Sequence, residues 1–234
     1  MTTSPTRDYR GSLVEEISFP RASVVLLAGV PGAGKSTLLQ RLYGVPGSSV
    51  LPTRTDDGVT VLDSAQVRGK LQPFLGRLPY RRWRPLVHLG HYVRIFGALD
   101  KGGPIVIHDC GTRPWMRRMI GERAARRGLE SHLLLLDTTA EEARAGQVAR
   151  GRVVDAGRFA THVMRWKKLL AKAEAGPELL MPGATSAAVL DRPAANALRR
   201  IRFTGAGEVI RLGRLPRQVR ESRMGTSVAA RSAG

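Results

Sequence analysis

The sequence predicts an α/β fold: a three-layer sandwich in which a five-stranded parallel sheet carries helices on both faces. Three observations predict it. Short apolar runs alternate with longer amphipathic stretches, the rhythm of repeated strand–helix–strand units. One such junction carries Gly29-Val30-Pro31-Gly32-Ala33-Gly34-Lys35-Ser36-Thr37, which completes G-x-x-x-x-G-K-[ST]. Three strands close on an aspartate, Asp63, Asp109 and Asp137. Strand C-terminal ends are where open parallel sheets hold ligands.

The strands are read at residues 23–30, 59–63, 104–110, 132–137 and 187–191. Helices are expected at 35–44, at 114–127 ending on Gly128, at 141–150, at 156–175 and at 194–200. The stretch 64–101 contains Pro73, Pro79 and Pro85, so it must be two or more helices. Thr138 or Thr139 with Glu142 reads as a capping box that starts the helix after Asp137. Residues 1–20 read as a loosely attached arm, 21–204 as the folded domain and 205–234 as a basic tail expected to be mostly disordered.

The Gly-rich segment sits between an apolar strand, Val24 to Ala28, and a helix-compatible run from Leu38, the context a P-loop requires. Its glycines let backbone N–H groups turn toward phosphate oxygens, and the helix N-terminus adds favourable partial charge. Gly29, Gly32, Ala33, Gly34, Lys35, Ser36 and Thr37 are therefore the predicted cradle for a nucleoside triphosphate. Lys35 is expected on the β- and γ-phosphates and Ser36 on Mg²⁺. No N-K-x-D base-recognition motif is present, which leans toward ATP over GTP.

A second acidic group must help to hold the cation, and Asp109 at the end of Ile105-Val106-Ile107-His108 is the candidate. Its bland alternative is a capping or ion-paired aspartate. Asp63 is read as the carboxylate that takes a proton from an acceptor hydroxyl, against the alternative of a helix N-cap. Arg150-Gly151-Arg152, flanked by Arg144 and Arg158, reads either as a mobile lid or as a solvated basic face. Arg113, Arg117 and Arg118 read either as holders of an anionic substrate or as surface charge. His88 and His91 share a helix face, but no ligand cluster completes a metal site. Trp83, Trp115 and Trp166 read as helix anchors.

The formal charge of +19 favours anionic partners. Part of it lies in the tail, so nucleic-acid binding through that tail is a further expectation and not established by charge alone. The single cysteine, Cys110, excludes an intramolecular disulfide and reads as a small buried thiol. No stretch is apolar enough to span a bilayer and no signal-peptide core appears, which predicts a cytoplasmic protein.

The order of these features, from the P-loop through Asp63 … Arg68, Asp109 … Arg117 and residues 133–137 to Arg150-Gly151-Arg152, resembles the small P-loop kinases. The likeness is to the zeta-toxin, polynucleotide-kinase and chloramphenicol-phosphotransferase-like group, often labelled AAA family ATPase. It covers about residues 23–203. It implies a P-loop NTPase fold with a helical lid, use of ATP and Mg²⁺, an acidic base after the second strand, lid arginines at Arg150 and Arg152, and Arg192 near the adenine. Many members carry an acid three positions before the arginine of their D-x-[IV]-R pattern, where this chain has Ala65 before Arg68. Asp63 or Asp109 then supplies the base. The function expected is phosphoryl transfer to a hydroxyl-bearing acceptor. An ATPase switch without an acceptor, or a nucleic-acid-binding P-loop protein, are the alternatives.

Overall fold

Every residue from Ser23 to Gly29 is buried, which only a central strand covered on both faces allows. The computed structural model describes residues 6–46, 48–109, 113–151 and 153–205. In chain order the elements are β1 (Thr6–Asp8), β2 (Glu16–Pro20), β3 (Ser23–Gly29), α1 (Lys35–Tyr43), β4 (Thr53–Arg54), β5 (Thr60–Asp63), α2 (Ser64–Leu75) and α3 (Tyr80–Lys101). There follow β6 (Ile105–His108), α4 (Pro114–Arg126), β7 (Glu130–Leu136), α5 (Ala140–Val148), α6 (Ala156–Ala175), β8 (Ala184–Leu190), α7 (Arg192–Ala197) and β9 (Arg200–Thr204).

The main sheet has seven strands in the order β1-β8-β7-β3-β6-β5-β4. The five strands read from the sequence are its five central ones, all parallel. The expected count of five is therefore corrected to seven by one strand at each edge. β1 adds in parallel to β8 and β4 adds antiparallel to β5.

The N-terminal arm is corrected as well. Residues 6–8 form the edge strand, and β2 pairs in parallel with β9 along its whole length, Glu16↔Arg200 to Pro20↔Thr204. Arg10 locks the turn between them. Its guanidinium bridges Asp8, Asp137 and Glu174 at 2.7–3.0 Å. Ile17 and Phe19 bury the inner face of β2. β1, at three residues, is too short for alternation to mark it as a strand.

Helix α2 begins at Asp63, whose side chain accepts from the Ala65 N–H at 2.8 Å while Gln66 reaches back to the Asp63 N–H. This is a complete capping box. Pro73 and Pro85 lie inside α2 and α3, whereas Pro79 marks the break between them. Trp83 and Val87 pack on Val67 to join the two helices, which offsets the lost backbone bond at Pro85. At the far end of the sheet, Ser23, His132 and Ser186 form a buried polar row across β3, β7 and β8. That row pins the register where β7 and β8 slip by one residue at Ser131/His132. Among the described residues no helix is long and apolar enough to cross a membrane.

Candidate active site

The loop from Val30 to Gly34 is closed by one internal backbone bond, Ala33 N–H to the Val30 carbonyl at 3.1 Å. The first bond of α1 is Leu38 N–H to the Gly34 carbonyl. The N–H groups of Lys35, Ser36 and Thr37 thus form the donor-rich first turn of a helix, aimed where an anion would sit. Gly32 and Gly34 hold φ of 91° and 96°, a backbone region that side chains disfavour. Lys35 is buried and donates to the Gly29 and Val30 carbonyls at 2.7 and 3.0 Å. The lysine is held on its own loop.

Helix α5 is built onto this loop. A methyl at Gly32 would lie 1.9 Å from the Ala143 carbonyl oxygen, and one at Gly146 would lie 2.4 Å from the Gly32 carbonyl oxygen. Gln147 stitches the contact. Its amide N–H donates to the Pro31 carbonyl at 3.0 Å, and its oxygen accepts from the Val154 N–H at 2.8 Å. The turn after α5 is therefore coupled to the phosphate loop. Arg150 reaches back and donates to the Thr37 hydroxyl at 2.6 Å. Thr139 and Glu142 form the capping box that starts α5.

Beside the loop is a hollow of about 220 Å³ lined by Gly32, Ala33, Gly34, Thr37, Arg150 and Arg192, among others. Arg192 is held against Glu142, by its carbonyl at 3.1 Å and its carboxylate at 3.4 Å. Asp191 caps α7 through the Ala194 N–H at 2.8 Å.

Next along the sheet edge lie the two strand-end aspartates, and they differ. Asp63 is 6% exposed, one oxygen committed to the helix cap and the other 2.7 Å from His108 Nδ1. Burial works against its charge, but His108 and the cap outweigh it and hold the carboxyl at about 2. Asp109 is half-buried, and its N–H bonds to the Leu27 carbonyl at 3.2 Å beside the loop. His91 is buried behind this pair. Burial pushes it down to about 4, against the pull of Asp109 and Asp63, so it is neutral at pH 7.

A larger cavity of about 510 Å³ opens between α3 and α4. Arg84 Nε and Arg113 Nη2 converge on His88 Nε2, each at 3.2 Å, and Arg113 also donates to the Tyr92 hydroxyl. Burial and then the two arginines lower the His88 pKa, which keeps its Nε2 an acceptor. The charge of Asp109 is felt at the same ring, so cavity and strand end are neighbours.

A family model described as an AAA domain matches residues 24–175, well over half of the chain. The chain belongs to this AAA-domain family. The match spans the P-loop, Asp63, Asp109 and the α5–α6 pair, and it bears out the resemblance to the group often labelled AAA family ATPase. No curated protein matches the sequence. Among the solved structures similar to this AAA-domain protein are three at low identity. One is of the PezAT toxin–antitoxin system of Streptococcus pneumoniae, at 15% identity over 67% of this chain and 65% of that one, with a TM-score of 0.47. The chain thus spans just under two thirds of its length. The others are a tunicamycin resistance protein of Deinococcus radiodurans (19%, 64% and 81%, 0.38) and a gluconokinase of Sinorhizobium meliloti 1021 (15%, 77% and 90%, 0.42).

In this AAA-domain fold the loop residues 29–37, Asp109, Arg150 and Arg192 gather along one edge of the sheet. Arg152 and Cys110 lie outside the described residues, as does the tail from 206. Asp63 is spent on its cap and on His108, so the bland alternative describes what its oxygens do. Asp137 serves the Arg10 bridge and accepts from the Trp166 indole at 3.3 Å. Arg117 is buried on the Leu180 carbonyl and Arg118 pairs with Glu122, which leaves Arg113 facing the cavity. Trp83 and Trp166 are buried anchors, whereas Trp115 is 52% exposed on the cavity wall. Sequence reasoning missed Arg81, Arg84 and Gln147. The spacing Arg81–Arg84–His88–Tyr92 puts four polar groups on one helical face and is a signal that could have found the first two.

Proposed function

We propose that this protein transfers the γ-phosphoryl group of ATP to a hydroxyl of a small acceptor. The observation that carries the reading is the cavity of about 510 Å³ lined by Arg81, Arg84 and Arg113, with Arg113 four residues after Asp109 in the chain. A nucleotide switch has no use for a second built pocket at that place.

The residues fit both ligands. The loop offers orphan N–H donors, two glycines with positive φ and a buried lysine. Among the described residues no cluster of three His, Cys, Asp or Glu side chains is placed to hold a metal alone. That suits Mg²⁺ arriving with phosphates and held by few protein groups, here the Ser36 hydroxyl, with Asp109 kept for the acceptor's proton. When bound, Mg·ATP supplies the phosphoryl group and the neutralisation of its charge.

The chain's own work is positioning and electrostatics. Lys35 leaves the Gly29 and Val30 carbonyls and turns onto the phosphates. Arg150 releases Thr37 and closes over the transferring group. The new bond joins the acceptor oxygen to phosphorus, the bond to the ADP oxygen breaks, and the hydroxyl proton passes to a carboxylate. We assign that carboxylate to Asp109, since both oxygens of Asp63 are engaged and its carboxyl sits near 2, a weak base.

The test is acceptor-dependent ADP release across a hydroxyl-compound panel, with wild type and Asp109→Asn. Transfer by Asp109→Asn is expected to fall on the order of 10²-fold. ADP release equal with and without every acceptor would favour a switch instead.

A further inference from the structure

We infer that the α3–α4 cavity selects acceptors that carry an oxyanion beside a flat apolar body. The inference rests on the phosphotransfer reading and names the chemistry of its second substrate. Two sets of lining residues make the case. The first is Arg81 and Arg84 from α3 and Arg113 from the start of α4, around a hollow whose own surface is mainly apolar. Among the described residues no carboxylate pairs with any of the three, whereas Arg10, Arg118, Arg123, Arg127, Arg192 and Arg202 each meet one. Arg84 and Arg113 share the neutral acceptor His88 Nε2 and Arg113 also donates to the Tyr92 hydroxyl, which still leaves guanidinium donors of both unspent. Three cations around one hollow repel each other until an anion enters. The planar forks of arginine suit a carboxylate or a phosphate, which each present two oxygens at once.

The second set is apolar. Trp115 stands 52% exposed with its ring edge-to-face against Tyr92, centroids 5.5 Å apart at 84°, and Leu89, also in the lining, is 60% exposed. A ring laid on Trp115 covers surface that water now meets, and the cavity volume lies within the range of small-molecule sites. Orientation follows from the neighbours. Asp109 is the carboxylate whose charge reaches His88, and Arg84 and Lys35 are both felt at His162 on α6. An acceptor anchored on Arg84 and Arg113 has to turn its hydroxyl end toward Asp109, four residues before Arg113 in the chain, to meet the transfer site of the proposed function. A neutral polyol leaves the guanidiniums unpaired, and a cationic acceptor is repelled.

The experiment uses the whole chain with Mg·ADP present and three probes of one shape: 4-(hydroxymethyl)phenyl phosphate, 4-(hydroxymethyl)benzoate and neutral 4-(hydroxymethyl)benzamide. Calorimetric titration gives each Kd, and transfer from ATP is followed separately. The two anions are expected to bind at least tenfold tighter than the amide, and the tighter of the two identifies phosphate or carboxylate as the source. Arg84→Gln and Arg113→Gln, each checked by its melting temperature, are expected to erase that preference, while Trp115→Ala weakens all three probes alike. Equal binding of the amide and both anions by wild type overturns the inference, and needs no variant to fold. Anion-selective binding without transfer leaves the pocket assignment standing and sinks the phosphotransfer reading for these acceptors. Transfer that is indifferent to Arg84 and Arg113 does the reverse.

Discussion

Gly32→Ala is expected to abolish nucleotide binding and to destabilise the fold. The added methyl would stand 1.9 Å from the Ala143 carbonyl oxygen and 3.0 Å from the Gln147 side chain, with φ at 91°. Neither neighbour can step aside cheaply. The first is backbone in the second turn of α5, and the second is the amide that joins Pro31 to Val154. Left-handed backbone costs about 1–2 kcal/mol for a residue with a Cβ, and overpacking adds about 1–3 kcal/mol. The sum, about 3 kcal/mol, shifts the melting temperature by roughly 10 °C in a chain of this size. Escape requires the loop to part from α5, which scatters the N–H groups that face the phosphates. Wild type should gain about 2.7 kcal/mol from ATP at a hundred times its Kd, and the variant nothing. Melts with and without Mg·ATP check both halves. A variant still stabilised by nucleotide would show that the loop does not need α5.

The same contact explains what could and could not be read from the sequence. A P-loop is legible because its geometry is local: nine consecutive residues carry the turn, the donors and the lysine. The five central strands are legible because burial on both faces makes each an unbroken apolar run, as in Leu133 to Leu136. β1 and β4 are not, since two or three residues at a sheet edge have neither run nor alternation. Ile17 and Phe19 of β2 alternate, but their partner strand lies 180 residues away, and only the closed fold brings Arg200 beside Glu16. The functional edge divides the same way. Asp63 and Asp109 look alike at the ends of two strands, and what separates them is the His108 that register sets opposite Asp63. The cavity is legible least of all. Arg84 and Arg113 are far apart in sequence and meet at His88 because α3 packs on α4.

Asp63 is where that difference is measured best. Its carboxyl is held at about 2 in the folded protein, against an ordinary value of 3.8. A depressed carboxylate stabilises the fold above its unfolded pKa, so the contribution is present at neutral pH and is lost as pH falls from about 4 through 2. A shift of that size corresponds to about 2 kcal/mol. Asp63→Asn removes the charge but keeps a side-chain oxygen that can cap α2, so its cost should be about 2 kcal/mol at pH 7. Asp63→Ala loses the cap too and should cost about 1 kcal/mol more. The gap between wild type and Asp63→Asn should close as the pH approaches 2, because protonation then does what the substitution did. Urea melts between pH 3 and pH 7 follow it. The chemical expectation runs against the role the sequence suggests for this residue. With its oxygens on Ala65 and His108, Asp63 is expected to position the strand end and to leave the acceptor's proton to Asp109. The folded fraction of Asp63→Asn should therefore transfer phosphoryl within a few-fold of wild type, while Asp109→Asn does not. Loss of transfer in an Asp63→Asn protein of wild-type stability would return the proton to Asp63, and with it the requirement that His108 let the carboxylate go.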